Sequence, residues 1–482
     1  MKSFIKIYTF FICLTMLSSC DKLLDVDTVS DITNKDYWES QGDVESYLYG
    51  IYTQYRDLNN TTLFFEDRGD AFAPGMEGGT SNAWNQNLNA QNAPNWSSFY
   101  KVIQHCNLLI KYSENVTFGA VQDKNRLLAE TYFIRAHAYF GVLRIWGDAP
   151  LELEPTESDE KPQLPRSPST EVMTQVLNDI DKAITLFPEN NIPNKNRASK
   201  SAAYALKADA LLWKAKVLNG NDQDLEGVIQ SADLASNGLS LEEDFGKIYA
   251  DESKKGKEVI FSIYFHRDEK NGHYSAQLKP RDIFVQDAVN VNDIPFAKSG
   301  ARSQYAPSDK LEATFKEYST DIRTSNSIIT AMAPNNVVIA KFDNKMRGSV
   351  NAGNRYYDSD IVVYRLAEMI LFKAEALAAL NRVDLAVNEL DKIRARAKIG
   401  NYTGSRDKVT VERELLKERS REFYLELKRW PDLVRFHYGG TIDAYNEVPN
   451  LMGKDVPLFS PIPKTEIDKN PALVQTEGYE NN

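Results

Sequence analysis

With 42% hydrophobic and 11% aromatic residues over 482 positions, the chain has ample material for a packed core, which excludes wholesale disorder. A formal net charge of −11 makes it a poor partner for nucleic acid or anionic lipid. The length allows roughly two or three domains without requiring them.

Residues 1–19 read as a signal peptide of the lipoprotein type. Lys2 and Lys6 precede an apolar run from Ile7 to Leu17 broken only by Tyr8, Thr9 and Thr15. That run is too short for a stable membrane span. Leu17-Ser18-Ser19-Cys20 matches the lipobox at which such a signal is cut and the new N-terminal cysteine acylated, so Cys20 is the expected lipidation site and the chain is tethered to a membrane without crossing it. Cys13 leaves with the signal and Cys20 is acylated. Cys106 then stands alone, in an apolar helical run where a buried core position is expected.

An acidic tether, about 20–32, leads to a helix expected from Thr33 to Leu58, with Val44, Leu48, Ile51 and Tyr55 at helical spacing. Residues 59–95 are rich in Asn, Gly, Gln and Pro and read as a long loop, of the kind that usually carries function. Helices follow over about 96–113, 124–146, 170–187 and 199–219, the last crowded with alanine and ended by Gly220. Glu258 to Phe265 is β-branched and aromatic enough for a strand. From about 265 to 357 no period is sustained, so a second irregular region is expected. Tyr364–Leu380 and Leu385–Lys398 form a helical hairpin in which Ala374, Leu377, Ala386 and Leu390 take the spacing of a tetratricopeptide repeat. Similar pairs around 124–187 and 199–238 make the chain mainly α, with helical pairs over about 33–58, 96–238 and 362–435 in one domain, 20–482.

Four motifs then resemble the SusD/RagB family of Bacteroidetes outer-membrane lipoproteins. They are Phe133-Ile134-Arg135-Ala136-His137-Ala138-Tyr139-Phe140 leading into Trp146-Gly147-Asp148-Ala149-Pro150-Leu151; Tyr364-Arg365-Leu366-Ala367-Glu368 through Ala374-Glu375-Ala376; Glu418-Arg419-Ser420-Arg421-Glu422-Phe423 through Arg429 to Arg435; and Pro461-Ile462-Pro463 with Glu466-Ile467, Asn470-Pro471, Gln475 and Gly478-Tyr479. The resemblance implies a helical body of four tetratricopeptide-like units and a loop-rich face that binds a nutrient, often a glycan. It also implies a place as the lid of a SusC-type TonB-dependent transporter in the outer membrane. The acidic residues after Cys20 resemble those that send such lipoproteins to the cell surface.

The charged motif residues read as scaffold, with Glu418–Arg421 and Glu426–Arg429 spaced to pair along a helix and Pro431 either kinking it or beginning a new one. The five histidines show no H-E-x-x-H spacing, and no G-x-S-x-G elbow or phosphate-binding loop occurs. Asp67 and Asp70 could serve as a carboxylate pair like that of a glycosidase, but solvated loops carry such acids routinely and no enzyme is expected. No cofactor is expected either; the loop acids and carbonyls could hold a structural calcium, though no EF-hand pattern exists.

Sugar binding asks for flat aromatic faces and planar polar groups, and the irregular segments hold both. Trp84, far from any apolar stripe, is the expected platform, with Asn82, Asn85, Arg68 and Asp67 as polar companions. In the second region His273, Tyr274, Phe284, Phe296, Arg302 and Tyr305 are further candidates. Peptide or another nutrient in the same role, and a tetratricopeptide adaptor that binds no small ligand, remain the alternatives.

Overall fold

A computed structural model describes residues 37–158, 163–249, 256–270, 272–295, 300–351 and 354–480. The signal peptide, Cys20, the tether, Thr33 and Phe296 lie outside the described residues. Helices of eight residues or more carry the architecture: α1 Gln41–Asn59, α2 Ser97–Tyr112, α3 Val121–Trp146, α4 Ser169–Leu186, α5 Lys200–Val217, α6 Asp222–Ala235, α7 Asp309–Lys316, α8 Leu366–Ala379, α9 Val383–Ala397, α10 Lys408–Glu422 and α11 Arg429–Tyr438. Each of α1 to α5 packs on the next, α6 packs on α8, and α8 packs on both α9 and α10. The result is a tetratricopeptide-like stack of helical pairs.

Local chemistry accounts for the boundaries. The first helix starts at Gln41 rather than Thr33, since Tyr37 to Glu39 are non-helical, and Ser40 bonds back to the Asp43 carboxylate through both its N–H and its hydroxyl, each at 2.7 Å. Ser199 caps α5 by accepting the Ala202 N–H. Small residues let neighbours close in: a Cβ on Gly141 of α3 would meet Phe99 of α2 at 2.5 Å. Cys106 is free and buried in that same contact layer, and burial pushes its thiol well above the usual range.

The motif charges clamp successive helices together. Arg135 of α3 holds Asp179 of α4 through two 2.8 Å bonds and Asn107 of α2 through a third. Arg435 of α11 grips Glu375 of α8 at 2.8 and 2.9 Å. Glu418 and Arg421 pair as their spacing suggests, at 2.7 Å. Glu426 and Arg429 do not: Glu426 takes Arg365 and Lys345, while Arg429 reaches back to Asp70. The reason is a break in the expected single helix. Leu425 and Leu427 sit at positive φ (61° and 60°), and Pro431 lies in the first turn of α11, where a missing N–H costs nothing.

The strand expected at Glu258–Phe265 forms over Val259–Ile263, and it pairs antiparallel with Ile361–Arg365, immediately before α8. The region 265–357 is more ordered than its sequence suggests. It contains the hairpin Ile328–Ala333 with Val337–Asp343, turned by Pro334-Asn335-Asn336 with both asparagines at positive φ. It also supplies Tyr305–Pro307, which pairs antiparallel with Phe72–Pro74 and so joins the two irregular regions into one face.

Candidate functional site

The face where those strands meet is built around one turn, 80–87. Tyr305 donates its hydroxyl to Asp67 Oδ2 at 3.0 Å and accepts the Ser81 N–H at 3.0 Å. The Ser81 hydroxyl donates to the same Asp67 oxygen at 2.7 Å and accepts the Trp84 N–H at 3.0 Å. The Trp84 indole N–H is anchored on the Phe72 carbonyl at 3.0 Å, and its own carbonyl accepts the Asn450 amide at 3.1 Å. Asn85 turns its amide inward to Thr80 and Ser81, and Lys454 closes on the Asn85 carbonyl. Gly75 must be glycine, because a Cβ there would lie 2.2 Å from the Ser303 carbonyl oxygen.

Of the eleven expected ligand residues, Asn82 and Arg302 are exposed, Trp84, Asn85 and Phe284 are half-buried, and Phe296 lies outside the described residues. The Asn82 and Asn87 side chains are exposed and engage nothing else among the described residues, and exposed Met452 follows Asn450 beside the same turn. The other five, Asp67, Arg68, His273, Tyr274 and Tyr305, are each 3% exposed or less, and the expectation that they contact ligand is corrected. Their polar atoms are spent inward. Arg68 bonds Gln86 and the carbonyls of Leu458 and Pro457 and lies over the Trp430 ring at 4.4 Å. His273 caps a short turn through Ser275, and the Tyr274 hydroxyl donates to the Leu425 carbonyl at 2.8 Å. Burial raises the Asp67 carboxyl against the hydrogen bonds it receives, and burial followed by the Asp67 charge raises the Tyr305 phenol. Phe284 packs on a small satellite core with Val285 and Phe342, while Arg302 is exposed.

The imagined carboxylate pair is also dismantled. Asp70 takes two bonds from Arg429, at 2.6 and 2.9 Å, and one from Lys310 at 2.8 Å; together they outweigh burial and hold it well below the usual carboxylate range. A carboxylate fixed in that way is no general acid, and Asp67 faces Ser81 and Tyr305 instead. Among the described residues no three His, Cys, Asp or Glu side chains gather where a metal could sit. Asn450, Met452 and Lys454 were not foreseen as neighbours of the turn. Some 370 residues separate them from it, and no local signal marks such a contact.

A helical-repeat scaffold bearing a loop-built face of aromatic and amide side chains defines a class of binding protein. Residues 296–479 match the SusD family, and residues 22–212 match a SusD-like family described as starch-binding and associating with the outer membrane. Between them, SusD-type families match most of the chain. It is 26% identical to a SusD-like protein of Formosa agariphila over 88% of this chain and 89% of that one. A stretch of 135 residues, 26% of this chain and 22% of the other, is 36% identical to the starch-binding protein SusD of Bacteroides thetaiotaomicron. The solved structure of B. fragilis NanU superposes with a TM-score of 0.80 at 26% identity, covering 94% of this chain and all of that one. No helix among the described residues is long and apolar enough to cross a membrane.

Proposed function

We propose that the protein is a lipid-anchored glycan-binding subunit of the outer membrane. It captures oligosaccharide on the 80–87 face and presents it to a SusC-type TonB-dependent transporter. The observation that carries this reading is the turn itself. Trp84 is pinned at its indole edge, and the unspent amides of Asn82 and Asn87 flank it. A stacking surface with fixed orientation and free donors and acceptors at its rim is what a pyranose ring needs, and fixing it in advance lowers the ordering cost of binding. The family description of starch binding at the outer membrane supports the ligand class and the place. The lipobox ending at Cys20 supports the anchor.

Affinity electrophoresis of the purified protein against a polysaccharide panel is the test. At least one glycan should retard the protein, and Trp84→Ala should weaken that interaction roughly tenfold, in line with the loss of one aromatic contact. Undiminished retardation of the variant would remove this face from the account.

A further inference from the structure

The geometry points to a second carbohydrate site, a cleft between α1, α3 and the α4–α5 connection that takes a neutral pyranoside stacked on Tyr49. The cleft encloses about 510 Å³, within the range of roughly 300–1,000 Å³ that small-ligand pockets occupy. It is distinct from the 80–87 turn: none of its lining residues belongs to that turn or to the residues that hydrogen-bond it.

Its floor is unusually fixed for a surface cleft. Glu130 of α3 is buried and receives Arg197 at 2.5 and 3.0 Å, Arg126 at 3.1 Å and the Tyr52 hydroxyl at 2.7 Å. Tyr52 in turn accepts the Ala198 N–H at 2.8 Å. Arg197 is thereby held with its guanidinium 4.7 Å from the Tyr49 ring centre and 5.1 Å from that of Tyr52. Tyr49 is therefore buttressed by Arg197 yet 54% exposed, and its hydroxyl engages nothing else among the described residues. An aromatic ring held in place from one side and left open to solvent is a platform for the apolar side of a sugar ring.

The rim supplies both partners a hydroxyl needs. Nε and one terminal nitrogen of Arg197 are spent on Glu130, which leaves its other terminal nitrogen as a donor. The Asn194 amide nitrogen is likewise unspent, and Glu45 offers a carboxylate already oriented by Arg126 at 3.2 Å. Phe187, Pro188 and Pro193 give the opposite wall an apolar surface. The charges balance: Arg126, Arg197 and Lys200 face Glu45, Glu130 and Glu189, so the cleft selects neither anion nor cation and a neutral sugar fits its field.

This site shares only its ligand class with the function proposed above. Purified full-length protein and its Tyr49→Ala, Tyr49→Phe, Asn194→Ala and Trp84→Ala variants are titrated with neutral trisaccharides of glucose, mannose, xylose and galactose, observed by saturation-transfer NMR. At least one sugar should bind roughly three- to tenfold more weakly to Tyr49→Ala, and more weakly to Asn194→Ala, with Tyr49→Phe and Trp84→Ala retaining that affinity. Loss on Trp84→Ala alone overturns the second site and leaves the loop face standing. Loss on Tyr49→Ala for every sugar that binds, with none weakened by Trp84→Ala, overturns the loop face and leaves this site. Binding of no sugar in the panel overturns both.

Discussion

Two regions of this molecule are fixed by opposite means. The C-terminal helical block is held by charges buried away from the surface. Arg365 reaches Glu258 and Glu422 at 2.6 Å and Glu426 at 2.9 Å, and Arg323 reaches Asp321, Glu418 and Glu422 at 2.6 to 2.9 Å, every partner nearly or fully buried. The loop face is held mostly by single hydrogen bonds, many of them from side chain to backbone, radiating from Ser81, Tyr305 and Asn85 around the lone carboxyl of Asp67. Buried charge networks are intolerant of change but fix a geometry firmly, whereas single hydrogen bonds cost less to rearrange.

The severest way to break the contrast is Arg365→Met. It leaves Glu258, Glu422 and Glu426 short of a cation in a low-dielectric interior, which costs about 3–5 kcal/mol. Against a total of about 5–15 kcal/mol, the urea midpoint should fall sharply or soluble protein should be lost. A midpoint near that of the parent would mean the network adds little to the block.

The seam between the regions has its own signature in pH. Glu66, in the loop, accepts the Lys428 N–H at 3.0 Å just before α11, and burial pushes its carboxyl up to about 8. An unfolded glutamate titrates near about 4.3, so between those values the folded chain holds a proton that the unfolded chain lacks. Stability contributed here therefore falls as pH rises from about 5 to about 8. Glu426 has the opposite sign: burial would raise it, but Arg365 and Lys345 prevail and hold it down to about 2, so its contribution is lost as pH falls below about 4. Glu66→Gln should flatten the alkaline limb, gaining on the order of a few kcal/mol at pH 8.5 relative to pH 5 in paired urea titrations. Parallel curves for variant and parent would show that Glu66 is ionised in the fold.

Legibility in the sequence followed the same division. Helices announce themselves through local periodicity, so α3, α4 and α5 were readable to within a few residues, and motif charges such as Arg135 and Glu375 were readable as scaffold. What they clamp was not, because pairing partners such as Asp70 and Arg429 lie 359 residues apart and spacing along one helix suggested Glu426 instead. The hairpin at 328–343 carries a signal of its own, two β-branched runs around Pro-Asn-Asn, which its irregular neighbours mask. In the loops, residue type alone cannot tell an exposed ligand contact from a buried strut. Trp84 and Asn82 stayed at or near the surface while Tyr305, Arg68 and Asp67 went inside.

That last distinction yields the gentlest test. Tyr305→Phe keeps the ring stacked on Phe72 at 5.2 Å and removes only the hydroxyl that joins Asp67 to the Ser81 N–H. The loss of one shared partner costs about 1–3 kcal/mol locally. If the loop face opens as a unit of its own, amide exchange over 81–87 should quicken roughly tenfold or more while α8 to α11 stay protected, since local openings draw on local bonds. Glycan retardation should weaken with it, because Trp84 is held through Ser81. Exchange that quickened equally in α8 to α11 would instead tie the face to the charged block, and the contrast between the two regions would collapse into one cooperative unit.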